Sequence, residues 1–338
     1  MRPFQSFRGR WTRSRLLSVA AGGLATVASM AGPSEAGVIT FGVGANQFQM
    51  EFVTIGNPGN LPDATGAPNP AGSVAYNYEI GKFEVSEDMI TKFNASQSLQ
   101  ITTSSRGANK PATSVSWNEA ARFVNWLNTS TGSQAAYKFT TGGVNDNIAL
   151  WTSGDPGYDA SNQYRNSMAK YFLPSYNEWY KAAYYNPNDA TYYDYANGSN
   201  TAPTPTLSGT TSNTAVYNYG FSATPADVTQ AGGLSPYGVM GLGGNVREWE
   251  ESSQDLANSS GSSNRGLRGG SFASIAANLS SSSRDNASAT LEMSGSAFGF
   301  RVASQYTSPA AAVPEPGSLL LGTLLGLGGY LGKRRMKK

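Results

Sequence analysis

The sequence predicts an α+β fold: one irregular, loop-rich domain between two terminal segments that lie outside it. Three observations carry this. Of 338 residues 39 are Gly and only 14% are charged, while Ser, Thr and Asn abound, a balance that favours turns over long regular elements. Helix-start signals are few and well separated, and neither an internal repeat nor a second domain boundary is visible. Hydrophobic residues, at 39% with 18 Tyr, 14 Phe and 6 Trp, still suffice for one large core.

Residues 56–69, rich in Gly, Pro, Asn and Asp, read as turns between short strands. Val74 to Val85 partly alternates and reads as a strand. A helix follows with Ser86 as its N-cap, and Glu87 and Asp88 sit in the first turn, where carboxylates suit the helix dipole. Ser116-x-x-Glu119 is a capping box opening a second helix, whose apolar positions Ala120, Phe123, Val124 and Leu127 repeat at helical spacing and which Gly132 ends. Ser175-x-x-Glu178 repeats the device, with Trp179, Ala182 and Ala183 facing inward. Beyond Tyr185 the chain turns irregular. The run Gly241-Leu242-Gly243-Gly244 lacks the Lys and Ser/Thr of a phosphate-binding loop and has no βαβ context.

With no Cys and no His, whole chemistries fall away. There is no imidazole base or triad, no disulfide, no thiol nucleophile and no thiolate metal site. Catalysis would rest on Asp, Glu, Lys, Arg, Tyr or Ser, and a metal would be a hard cation held by oxygen.

The first 36 residues read as a signal peptide for signal peptidase. Arg2, Arg8, Arg10, Arg13 and Arg15 precede an apolar run from Leu16 to Ala31, and Ser34-Glu35-Ala36 offers the cleavage site. At the other end, Pro314-Glu315-Pro316 precedes an apolar Gly317–Gly332 span and a basic tail from Lys333 to Lys338. The span is shorter than the roughly 20 residues a spanning helix needs, and the basic cluster holds the terminus cytoplasmic. This tripartite segment, 308–338, resembles the PEP-CTERM sorting signal. The resemblance implies transient inner-membrane anchoring and removal of the tail by an exosortase in a Gram-negative envelope, with the mature protein at the surface or in the extracellular matrix. A plain tail anchor is the alternative. Without both ends, 14 Lys and Arg face 20 Asp and Glu, a net charge of about −6. That disfavours a nucleic-acid partner.

Within 37–307 a set of ordered motifs resembles the sulfatase-modifying factor family, which includes the formylglycine-generating enzyme. They are Tyr78-Glu79-Ile80-Gly81-Lys82-Phe83-Glu84-Val85-Ser86, Pro111 to Ala120 around Val115-Ser116-Trp117, Leu173-Pro174-Ser175 with Glu178-Trp179, Tyr237-Gly238, Gly244-Asn245-Val246-Arg247-Glu248-Trp249, Arg268-Gly269-Gly270-Ser271-Phe272, Arg284, and Gly299-Phe300-Arg301-Val302. The resemblance implies a formylglycine-generating-enzyme-like fold related to C-type lectins. It also implies two copper-binding redox cysteines, at positions held here by Ser274 and Leu279. A hydroxyl and an alkyl group cannot bind Cu(I) as thiolates do, so the expectation is the fold without the oxidase chemistry and without copper.

The family's calcium site, carried over, would use the carbonyl oxygens of Gly244 and Val246 and the carboxylate of Glu248. Gly241 stands where the family has an Asp or Asn, and Arg247 adds a neighbouring cation. Glu250, Glu251 and Asp255 could compensate or form a solvated acidic face. Two further readings concern sugars: an acid/base pair among Glu248, Glu250 and Glu251, and a stacking platform from Tyr184, Tyr185, Tyr192, Tyr193 and Tyr195. The leading expectation is therefore a non-catalytic, exported binding protein, taking a glycan, a peptide or an envelope protein, with a pocket lined by Ser274 and Arg284. Its rivals are an enzyme with carboxylate or Tyr chemistry and a purely structural matrix protein.

Overall fold

The computed structural model describes residues 37–220, 222–292 and 297–307. The signal-peptide region and the sorting segment with Pro314, Glu315 and Pro316 lie outside the described residues. Among the described residues no helix is long and apolar enough to cross a membrane.

The described chain opens with strands β1 (Gly37–Phe41) and β2 (Phe48–Ile55), an antiparallel hairpin in which Phe41 pairs with Phe48. Along β2 the side chains of Phe48, Met50 and Phe52 alternate into the core. Strand β3 (Tyr78–Gly81) is shorter than the alternation at 74–85 predicts. Past Gly81 the ladder stops: the amides of Lys82 and Val85 bond singly to the carbonyls of Glu51 and Phe300. That break turns Glu84 inward, and the residue is 1% exposed.

Helix α1 (Glu87–Ser96) starts at Ser86, whose hydroxyl accepts the Met89 amide. Helix α2 (Trp117–Ser130) and helix α3 (Tyr176–Tyr184) both carry the complete capping box, Ser116 with Glu119 and Ser175 with Glu178. At the end of α2, Gly132 takes φ +78°, and the Ser133 amide reaches back to the Asn128 carbonyl. Strand β4 (Tyr171–Phe172) lies between these two helices in sequence. The irregular stretch after Tyr185 holds only two-residue strands: β5 (Tyr185–Asn186) with β6 (Thr191–Tyr192), and β7 (Thr204–Pro205) with β8 (Thr214–Ala215).

Strands β9 (Arg247–Ser253), β10 (Arg265–Arg268), β11 (Asp285–Ala287) and β12 (Phe298–Gly299) form a mixed sheet in the order β11-β10-β9-β12, with β12 parallel to β9. Strand β13 (Ala303–Gln305) returns to the first sheet, ordered β1-β2-β3-β13-β4 and antiparallel throughout. The core is aromatic. Trp117, Phe123, Trp179, Trp249 and Phe300 are all fully buried, and α2 sets Phe123 edge-on to Phe300 at 5.6 Å between ring centres.

Candidate functional site

Strand β9 reads Arg-Glu-Trp-Glu-Glu-Ser-Ser, yet Glu248, Glu250 and Glu251 are fully buried. A charged carboxylate is costly in a core unless it is paired, and here each one meets a guanidinium from another segment. Arg301 bridges both oxygens of Glu248, and Trp179 Nε1 donates to Oε2 at 2.7 Å. Arg268 and Arg284 share Glu250, with Arg284 Nε 2.8 Å from its Oε2. Arg165 donates to Glu251 through Nε at 2.7 Å and Nη2 at 2.8 Å, and also binds Glu178. Tyr137 and Asn162 complete the shell of Glu251. Burial would raise the Glu178 carboxyl, but the Arg165 charge and hydrogen bonds hold it below the usual range.

This geometry corrects several expectations. Glu250 and Glu251 are no solvated acidic face, and no member of the trio is open to a sugar. Acid/base chemistry on a glycosidic bond needs carboxylates that reach substrate. Of the expected calcium donors, Gly244 and Val246 lie in the segment leading into β9 and Glu248 is the second residue of that strand. Arg301, however, engages both Glu248 oxygens and also donates to the carbonyls of Gly81 and Met240. A guanidinium thus supplies the positive charge that a calcium ion would, Gly241 offers no side chain, and the three expected donors do not fit the ion. Among the described residues no cluster of three or more acidic groups could hold a metal. Arg247, expected to repel a cation there, pairs instead with Asp285 at 2.6 Å near the surface.

The two positions expected to replace the redox cysteines, Ser274 and Leu279, are both packed into the structure. Ser274 is 6% exposed, and its hydroxyl accepts the Ser271 amide at 2.9 Å and shares a hydrogen bond with the Ser271 hydroxyl. Leu279 is 1% exposed. It packs so closely on Gly270 that a Cβ there would meet its Cδ1 at 2.7 Å. The cavity it lines with Tyr195, Ala196 and Leu242 measures about 10 Å³, room for about one water. The expected pocket of Ser274 and Arg284 does not form. Arg284 is fully committed to Glu250 and to the carbonyls of Ser253 and Gln254, and a 10 Å³ recess between Arg268, Asn278 and Asp285 includes neither expected residue. Nor do the tyrosines make a platform. Tyr184 and Tyr185 are buried, and ring pairs such as Tyr180–Tyr184 (4.8 Å) and Tyr185–Tyr192 (5.0 Å) pack against one another.

One buried carboxyl stands apart. Glu84 accepts a hydrogen bond from Asn245 Nδ2 at 2.9 Å through Oε1, while its Oε2 has no partner among the described residues. A Cβ on Gly241 would lie 2.8 to 2.9 Å from this carboxyl group, so the bare glycine makes room for it. Burial and then the nearby Glu248 push the Glu84 carboxyl up to about 8, against the pull of Arg301. Period-two reading of the 74–85 alternation gives no sign of this residue, because the strand ends before it. Arg165, with no motif around it, was equally invisible.

A five-stranded and a four-stranded sheet, three helices capped at their N-termini, long irregular connections and a buried arginine–carboxylate network make up an α+β domain like that of the sulfatase-modifying factors. The chain belongs to the family of sulfatase-modifying factor enzyme 1-like domains, whose model matches residues 37–306. Among solved structures it is similar to Treponema denticola variable protein 1, with 22% identity over 80% of this chain and 99% of that one at a TM-score of 0.52. It is likewise similar to CarF, with 20% identity, 76% and 99% coverage and a TM-score of 0.50. PvdO from Pseudomonas aeruginosa aligns at 16% identity over 79% and 98%, with a TM-score of 0.48. Among curated proteins none matches the sequence.

Proposed function

We propose that this is a non-catalytic member of the family, an exported domain that binds rather than oxidises. The observation that supports it is the filled redox site. Ser274 is tied to Ser271, Leu279 packs on Gly270, and the cavity Leu279 lines, about 10 Å³, is too small for a peptide substrate. Function resides in such a site and not in the fold, so loss of the cysteines removes the oxidase and leaves a scaffold. In this reading the irregular loops of a C-type-lectin-related fold present a binding surface to a glycan, a peptide or an envelope protein. Signal peptidase removes residues 1–36, and an exosortase-type enzyme acts at Pro314-Glu315-Pro316, leaving the body at the cell surface or in the matrix.

The test has two arms. Incubation with a sulfatase-type cysteine peptide and copper should leave the peptide mass unchanged, whereas formylglycine would overturn the reading. Glycan and peptide arrays probed with the protein should show selective capture; uniformly blank arrays would favour the structural-matrix alternative. Intact Lys338 on the surface-associated form would exclude tail removal.

A further inference from the structure

The two edges of the five-stranded sheet are finished differently. At β4 the backbone of Tyr171 that faces away from β13 is closed from within the core. The buried carboxamide of Asn128, on α2, accepts the Tyr171 amide at 2.9 Å through Oδ1 and donates Nδ2 to the Tyr171 carbonyl at 2.7 Å. Leu173, just past the strand, donates its amide to the Tyr137 hydroxyl at 2.8 Å. Side chains thus occupy the places that a further strand would take.

At β1 the edge is open. The Glu51 carbonyl accepts the Lys82 amide and so faces β3. Its register partner Val38 therefore turns its own amide and carbonyl to the outer side, and two residues on Thr40 does the same. Among the described residues neither meets another strand there. The devices that blunt an edge are missing too: Gly37-Val38-Ile39-Thr40-Phe41 carries no Lys and no Pro, and its register with β2 runs without a bulge. Val38, 58% exposed, and Val43 in the following turn, 78% exposed, present apolar side chains beside it.

Charge indicates what such an edge takes. Residues 37–50 contain no Asp, Glu, Lys or Arg, in a body whose net charge is about −6. Nearby charges are already neutralised, Glu51 by Lys82 and Asp88 by Lys92, each at 2.7 Å. Two copies of an acidic body repel one another, and least where the hairpin is uncharged. The strand is also complementary to itself. A two-fold axis at Ile39 sets Val38 opposite the partner's Thr40 and Thr40 opposite the partner's Val38, and each pair can exchange both backbone hydrogen bonds. Half-buried Ile39 then meets its own copy on the core face, while Val38 lies beside a threonine methyl on the other.

We propose that β1 pairs antiparallel with β1 of a second copy of this chain, making one sheet continuous across a two-fold dimer. The proposal concerns a surface apart from the redox positions and does not depend on the binding reading above.

The experiment is analytical ultracentrifugation of the full-length protein over a dilution series. The wild type should show a monomer–dimer equilibrium that tightens as salt screens the repulsion between acidic bodies. Thr40→Pro removes an amide that faces outward, a change an edge strand tolerates, and should weaken the dimer about tenfold or more while the melting curve stays cooperative. A charge swap guards against variants that merely unsettle the fold. Chains carrying Val38→Lys with Thr40→Lys, or Val38→Glu with Thr40→Glu, should each be monomeric alone and should pair when mixed. A wild type that stays monomeric throughout would overturn the dimer. So would association that persists in Thr40→Pro and in both charged chains, because it would then run through other parts of the molecule. A monomeric wild type whose capture of an array peptide is lost in Thr40→Pro would assign the edge to a foreign strand and likewise overturn self-pairing.

Discussion

The acidic strand β9 and the segment around Glu84 bury carboxylates to the same degree and treat them in opposite ways. Along β9 every carboxylate meets at least one guanidinium from another segment, 18 to 86 residues away in sequence. Glu84 receives one amide hydrogen bond and keeps one oxygen unmatched. Paired burial makes a rigid structural element, since removing either partner strands a charge in the core. Unpaired burial leaves a group whose charge is open to protons. The molecule thus treats buried acids in two ways, by ion pairing along β9 and by raising the carboxyl at Glu84.

The largest effect should come from breaking the paired region. Arg301→Ala leaves Glu248 uncompensated and should cost about 3–5 kcal/mol in urea unfolding. Glu251→Ala, at a position that looked like surface charge, should cost several kcal/mol as well, because Arg165 then retains only Glu178. By contrast Glu84→Gln should be close to neutral or stabilising at pH 8. If Glu84→Gln destabilises as much as Arg301→Ala, the distinction between the two regions fails.

The acids raised by burial should next show in the pH dependence. Burial, with Glu248 nearby, raises Glu84 from 4.5 to about 8, and burial raises Glu119 from 4.5 to about 7. Between those limits the folded chain holds more protons than the unfolded one, so stability falls as pH rises from about 4.5 to 8. The opposite sign applies to Asp155, which its hydrogen bonds to Lys138 and Thr152 lower from 3.8 to about 2. Its stabilisation is lost only as pH falls through that lower range. Thermal melts across pH 3 to 9 should therefore peak on the acid side, and Glu84→Gln with Glu119→Gln should flatten the alkaline limb. A rising limb between pH 5 and 8 would contradict the assignment.

Helix caps set a smaller scale. Ser116→Ala and Ser175→Ala each remove a complete capping box and should cost about 1 kcal/mol by chemical denaturation. The smallest effect sharpens the comparison from the metal side. A calcium ion bound only to the native state would add about 2.7 kcal/mol at a hundredfold excess over Kd. With Arg301 in place at Glu248, the melting temperature should be indifferent to calcium and to EDTA. A clear upward shift with calcium, absent with magnesium, would show that donors other than Gly244, Val246 and Glu248 as placed here make a site.

The sequence by itself determined what depends on neighbours along the chain. Ser86, Ser116 and Ser175 start helices because a hydroxyl satisfies an amide two or three residues on, and Gly132 ends one because its φ is positive; such signals are complete within a few residues. The absence of Cys, too, is legible without any coordinates. Tertiary structure alone decided the rest. Arg-Glu-Trp-Glu-Glu reads as solvated charge until Arg165, Arg268, Arg284 and Arg301 arrive from other segments to neutralise it. Ser274 and Leu279 could be named in advance as replacements, but not that Leu279 packs the space shut against Gly270. Glu84 looks like the polar member of an alternating strand, and its burial follows only from the ladder ending at Gly81 and from the space beside Gly241. Pairing and burial are properties of distance in space, and local pattern carries no information about them when the partners lie far apart along the chain, 69 residues for Trp179 with Glu248, 161 for Asn245 with Glu84 and 220 for Arg301 with Gly81.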